Sequence, residues 1–226
     1  MKSQFTNGSW SGRRGFSLIE MLVVIAIIAI LAAVLLQVLS TSQKRARIKK
    51  AKMEMANIVT AIGQYQAKYT VAPISKTLPD DAKPGNDFSF HNDNPGLGNS
   101  EIIAILMDVT SVPANADHRA NPEKHAFLTA PTKPGKGPGI SADDFNFRDP
   151  WGNPYIIAFD LNFDGSVKVD STADSYVPRL FPYPYPDVPG AVIVWSKGPD
   201  GKAEKGNGSG NGLEPTNKDN IKSWEP

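Results

Sequence analysis

An α+β fold, in which one long and partly transmembrane N-terminal helix packs on a small antiparallel β-sheet, is the architecture this sequence predicts. Three observations predict it. Residues Phe16–Leu39 are apolar except for Ser17, Glu20 and Gln37. Downstream, Met55, Ile58, Ile62, Tyr65 and Tyr69 recur at spacings of 3, 4, 3 and 4, one face of a helix. Strand-like segments come only late in the chain, after two proline-rich stretches.

At about 1.5 Å per residue the first segment extends roughly 36 Å, enough to cross a hydrocarbon core of about 30 Å with some tilt. No proline lies between Phe16 and Ala72, and Gly63 is the only glycine there, so nothing stops the helix where the apolar run ends. An amphipathic continuation over 40–72 follows, closed by Val71-Ala72-Pro73 because the residue before proline avoids helical geometry. A plain single-span anchor is the simplest alternative. A buried core helix would need protein on every side.

Beyond Pro73 the chain reads as loop up to Gly98. Asn99–Val109 predicts a short helix capped by Asn99 or Ser100, with Ile102, Ile103, Leu106 and Val109 as its packing face. Pro113–Asp149 reads as a second loop, in which 131–139 (PTKPGKGPG) is a connector with little core potential. Tyr155–Leu161 and Ser166–Asp170 flank Asn162-Phe163-Asp164-Gly165 as a predicted hairpin, and Ala191–Trp195 as a third strand. Pro178–Pro189 is too proline-rich for a central strand.

Composition narrows the function classes. The formal charge is +1; without Lys2, Arg13 and Arg14, 21 basic residues face 23 acidic ones, about −2. That balance gives no case for nucleic-acid binding, despite the basic cluster Lys44–Lys52. The cluster reads as a solvated helix face, a contact to anionic headgroups, or a partner for carboxylates of neighbouring subunits. Cysteine is absent, so no disulfide closes the loops. His91, His118 and His125 lie scattered, and no nucleophile elbow or phosphate loop occurs, so an enzyme is not expected. Counted literally, loop charges place the C-terminal side in the cytoplasm.

The junction before the apolar run is the most specific feature. Arg13-Arg14-Gly15-Phe16-Ser17-Leu18-Ile19-Glu20, leading into sixteen apolar residues Met21–Leu36, resembles the processing site of the type IV pilin superfamily, which includes the pseudopilins of type II secretion. The resemblance implies a pilin-like lollipop and a cleaved leader over 1–15. It also implies cutting after Gly15 by a prepilin peptidase, N-methylation of Phe16, and an exported C-terminal side, against the charge count. Four regions result: leader 1–15, transmembrane and filament-core helix 16–39, amphipathic continuation 40–72, and exported globular domain 73–226. A carboxylate in hydrocarbon costs several kcal/mol unless neutralised or paired. Glu20 therefore predicts a cationic partner: the amine of Phe16, from an incoming subunit in a filament or within one chain in the membrane.

Asp149-Pro150-Trp151-Gly152-Asn153-Pro154-Tyr155 is the second point of resemblance, to type II major pseudopilins. Locally it is a rigid double turn, with Asp149 placed to accept backbone amides. Ser196 to Gly201 and Asn217 to Trp224 resemble the calcium loop of that family, which implies one calcium site drawing on Ser196, Asp200, Asp219 and Asn220. A hard cation takes six to eight oxygens. Asn220 stands where aspartate is common, which implies weaker binding, and the Gly-rich 206–212 lengthens the loop. Polar turns alone are the alternative. Asp160, Asn162 and Asp164 match half of an EF-hand loop, though a hairpin turn explains Asp164-Gly165 without an ion.

The reading that joins these features is a type II secretion pseudopilin. It would be single-pass in the inner membrane with a periplasmic domain and would form a helical homopolymer. Its partners would be the peptidase, an inner-membrane assembly platform and minor pseudopilins. Two alternatives stand: a type IV or DNA-uptake pilin, and an anchored calcium-binding domain that never polymerises.

Overall fold

A computed structural model of the chain describes residues 15–74, 87–90, 98–167, 187–203 and 217–224, apart from the side chains of residues 37 and 88. The chain divides into two compact units, Met1–Arg45 and Ala46–Pro226. Helix α1, Leu18–Tyr69, contributes to both. In the first unit every described apolar side chain of the span is exposed, so no other described part of the chain covers it. The helix is long and apolar enough to cross a membrane.

In the second unit α1 buries the expected stripe. Met55, Ile58 and Ile62 are wholly buried and Tyr65 nearly so, joined by Ala51 and Ala61. Each large aliphatic so placed contributes about 1.5–3 kcal/mol. The helix ends at Tyr69, three residues before the expected boundary. Thr70 turns left-handed (φ 59°) and its N–H donates to the Gln66 carbonyl at 2.8 Å, so the stop is a left-handed cap and not Pro73 alone.

Four strands form the main sheet in the order β1-β5-β8-β9, all antiparallel: β1 Phe88–Phe90, β5 Ile156–Phe159, β8 Val192–Ser196 and β9 Ile221–Lys222. Alternation along the central strands sends Ile157, Phe159 and Val194 into the core with α1 and α2 (Ser100–Leu106). Ile156, Ala158, Ile193 and Trp195 face the other side, where Val167, Val188, Ala203 and Trp224 cover them. Both faces are thus filled, which is why β5 reads as one apolar run.

Four expectations are corrected. The hairpin does not form: β5 pairs with β1 and β8, whereas β6 (Ser166–Val167) pairs with β7 (Val188–Pro189) in a separate ribbon. The Asn162–Gly165 turn therefore joins two sheets; residues 168–170 and 178–186 lie outside the described residues. The 113–149 loop is more ordered than its composition implies. A 3-10 segment spans Pro113–His118, and β2 (Thr132–Lys133), β3 (Gly139–Ser141) and β4 (Phe147–Arg148) make a three-stranded sheet. Strands of two or three residues are too short to show an alternating pattern. Asn99 makes no cap. Wholly buried, it donates to the carbonyls of Phe147 (2.9 Å) and Tyr155 (2.7 Å) and accepts the Phe147 N–H (2.9 Å), clamping β4 to the chain entering β5. Helix α2 is buried around its whole circumference from Ile102 to Leu106, not on one face.

Candidate functional site

At the N-terminal junction Gly15, Phe16 and Ser17 precede the helix in non-helical backbone, and a β-carbon on Gly15 would meet open space among the described residues. Ser17 is the cap. Its Oγ accepts the Glu20 N–H at 3.3 Å, and Glu20 Oε2 accepts the Ser17 N–H at 2.8 Å and the Ser17 hydroxyl at 2.8 Å. This is a reciprocal capping box, Ser-x-x-Glu, a signal present in the sequence alongside the processing motif. Both carboxylate contacts use Oε2, so Oε1 remains without a partner among the described residues. Glu20 therefore holds the first turn with one oxygen and offers the other outward. Arg13 and Arg14 lie outside the described residues.

The C-terminal loop is built where β8 ends. Ser196 is fully buried; its hydroxyl donates to Asp149 Oδ2 and accepts the Gly198 N–H at 2.9 Å. That hydroxyl is engaged by its own domain rather than turned toward Asp200 and Asp219. Gly198 (φ +68°) passes so close to the far arm of the loop that a β-carbon there would lie 2.2 Å from the Asp219 carbonyl oxygen. Asp219 Oδ2 accepts the Asp200 N–H at 3.2 Å, and Asp200 Oδ1 accepts the Lys202 N–H at 2.8 Å. One end of the Asn220 amide stands 3.3 Å from Asn217 Oδ1. Its other end faces the carbonyl oxygens of Lys197 and Lys202, at 3.0 and 3.2 Å. The structure thus brings Asp200, Asp219 and Asn220 together and sets Ser196 one layer below. Residues 204–216 between the two arms lie outside the described residues.

That lower layer centres on Asp149, which is wholly buried. Its Oδ1 accepts the N–H groups of Trp151 and Asn153, both at 2.9 Å, as its place in the turn implies. Asn153 Nδ2 donates to the Gly198 carbonyl at 2.8 Å, and a β-carbon on Gly201 would lie 2.8 Å from Asn153 Oδ1. At the end of the same turn, Tyr155 donates its hydroxyl to Glu54 Oε2 on α1 at 2.6 Å, and Lys50 lies 3.9 Å from the other oxygen. Burial, with Asp149 adding to it, pushes the Glu54 carboxyl above its usual value despite the Tyr155 bond and Lys50. Burial and the Glu54 charge raise the Tyr155 phenol. A hydrogen-bonded series therefore runs from the C-terminal loop to α1. Sequence reasoning missed Glu54, because a lone acid on a helical face carries no signal of its distant partner.

The Asp160–Asp164 segment satisfies itself. Asp160 accepts the Phe163 and Gly165 N–H groups at 2.7 and 2.9 Å, and Asp164 accepts from Asn162 and Ser166. Its carboxylates already serve a turn, whose tip exposes Phe163. Among the other described groups, His118 Nδ1 lies 2.7 Å from Asp108 Oδ1, where Asn115 also donates. His91 lies outside the described residues. Among the described residues no group of three or more His, Cys, Asp or Glu side chains could hold a metal, so any ion at the C-terminal loop would rely on amide and carbonyl oxygens.

Residues 10–36 match the prokaryotic N-terminal methylation motif. The match covers the dibasic junction, Gly15, Phe16, Glu20 and the whole apolar run Met21–Leu36. It supports a type IV pilin-like subunit processed by a prepilin peptidase, held in the membrane by a single apolar helix and competent for pilus-like polymerisation. No curated protein and no solved structure matches the chain.

Proposed function

We propose that the chain is a structural subunit of a type II secretion pseudopilus, most like the major one, stored in the inner membrane and polymerised to drive protein export. The observation that carries this reading is Glu20 at the fifth mature position, capping α1 through Oε2 with Oε1 open to a cation. The amine freed at Phe16 of an incoming subunit is the partner that chemistry favours, since it neutralises the carboxylate and sets the axial register. The absence of cysteine and the C-terminal loop favour the pseudopilin branch over a disulfide-closed pilin. Inner-membrane assembly proteins and minor pseudopilins complete the proposed partners. The mass of the mature N-terminus tests the processing: a chain beginning at methylated Phe16 is expected, and an intact leader would sink the reading. Glu20→Ala should insert in the membrane normally yet fail to form filaments; wild-type filament yield from that variant would remove Glu20 as the assembly residue, and a wild-type chain that never forms filaments favours the anchored, non-polymerising alternative.

Calcium is part of the same proposal. A hard cation would draw on the Asp200 and Asp219 carboxylates and the Asn220 amide oxygen, while the Asn220 amide nitrogen donates to the Lys197 and Lys202 carbonyls at 3.0 and 3.2 Å and holds the second arm to the first. When bound, the ion neutralises two acids and ties the two arms of the loop together. The arms themselves keep Gly198 against Asp219, and Ser196 positions the first arm through Asp149. Saturating calcium should raise the unfolding midpoint of the full chain in detergent, by about 2–4 kcal/mol of linkage at roughly 100–1,000 times the dissociation constant. A midpoint that chelator leaves unchanged argues against the ion.

A further inference from the structure

Resting on the membrane-anchored reading above, we infer that Lys44, Arg45, Arg47, Lys49 and Lys50 form a cationic collar around α1 that binds the anionic phospholipid headgroups of the leaflet from which the helix emerges. All five side chains are exposed. Between Glu20 and Glu54 the helix has no acidic residue. Among the described residues only Lys50 of the five has an ion-pair partner, Glu54 at 3.9 Å, with the lysine still 56% exposed. A pair so long and so wet leaves the cation available. At about 100° per residue the five positions encircle the axis, with no gap between angular neighbours wider than about 100°. A folded protein partner reads one helix face at i, i+3 and i+4. A ring of charge suits a medium that surrounds the helix, and a headgroup layer does so.

Height along the axis agrees. The five residues lie five to eleven positions beyond Leu39, roughly 8–17 Å past the apolar run. Headgroups occupy about 5–8 Å outside the hydrocarbon core, the screening length adds about 8 Å, and lysine and arginine stems bend back toward the interface. The collar therefore stands within reach of lipid phosphate from its first residue to its last.

The test uses the full chain, one copy per lipid nanodisc, in phosphatidylcholine with or without phosphatidylglycerol. Because the chain has no cysteine, Ser42→Cys at an exposed position beside the collar provides a unique spin-label site. Phosphatidylglycerol should slow the label, high salt should release it, and lipids retained by the chain should be enriched in phosphatidylglycerol at least about fivefold, the weight of a single cation at such a surface. Replacing all five with glutamine should abolish both effects while alkali-resistant insertion persists. Insertion with a label blind to lipid charge overturns the collar alone; failure to insert overturns the anchor reading and the collar with it. Slowing seen only in discs with several copies, whatever the lipid, assigns the ring to carboxylates of a second copy and overturns the lipid proposal.

Discussion

Asp149 accepts four hydrogen bonds from two separate segments, the backbone N–H groups of Trp151 and Asn153, the Asn153 side-chain amide and the hydroxyl of Ser196. Each buried donor left without an acceptor costs about 1–3 kcal/mol, so Asp149→Ala should lower stability by roughly 3–5 kcal/mol in chemical denaturation. A loss under about 1 kcal/mol would show that the hub is not what holds the turn. The amide-accepting role of Asp149 was legible, since an Asx residue heading a Pro-x-Gly turn has few other uses. Its grip on Ser196, 47 residues away, was not. Ser196 in turn was legible as part of the C-terminal loop but not as a residue whose hydroxyl faces away from it. Asn99 makes the same point: the local pattern predicts a cap, while its tertiary partners on β4 and at Tyr155 claim both ends of the amide.

At the scale of elements, helix α1 was readable almost to its end because 3.6-residue periodicity and the lack of breakers act within the segment itself. The sheets were less so. Ile156–Phe159 and Val192–Ser196 are apolar runs that announce strands, but which strand pairs with which depends on the layers that cover them. A turn as strong as Asn162–Gly165 proved to join two sheets instead of two partners. Gly63 is a local inconsistency within α1: it sits exposed in the helix interior, with open space where a side chain would go. Gly63→Ala should therefore stabilise the subunit by about 0.5–1 kcal/mol, read as a raised unfolding midpoint. An unchanged or lowered midpoint would mean that the helix is not formed there in solution. If the stabilised variant then polymerises poorly, the glycine is kept for close approach by a neighbouring helix.

For the domain as a whole, acids of opposite tendency shape the pH response: burial raises Glu54 and Glu101, and Arg148 lowers Asp144. Burial raises the Glu54 carboxyl above its ordinary 4.5, so the folded chain retains a proton that the unfolded chain releases. Stability from this group consequently falls as pH rises from about 4.5 toward the raised folded value. Arg148 holds Asp144 well below its ordinary 3.8, through hydrogen bonds from both guanidinium nitrogens, and its contribution is present above that value and lost on acidification below it. Glu54→Gln should flatten the decline on the higher side, and Asp144→Asn the loss on the acid side, in midpoints measured across about pH 2–7. Identical profiles for wild type and Glu54→Gln would show that burial does not hold the Glu54 carboxyl above its ordinary value.

The reciprocal Ser17–Glu20 cap has a consequence for the order of events. Every atom in it lies downstream of the Gly15–Phe16 bond, so severing that bond leaves the helix start as it was. The peptidase meets an unwound, sterically open dipeptide backed by a finished helical turn, and need not melt structure to reach it. The freed amine then sits one residue ahead of a helix start that is already set. On the proposed pairing with Glu20 of a neighbour, docking would then ask for the placing of a charge and the ordering of Phe16 alone, with the helix start already built.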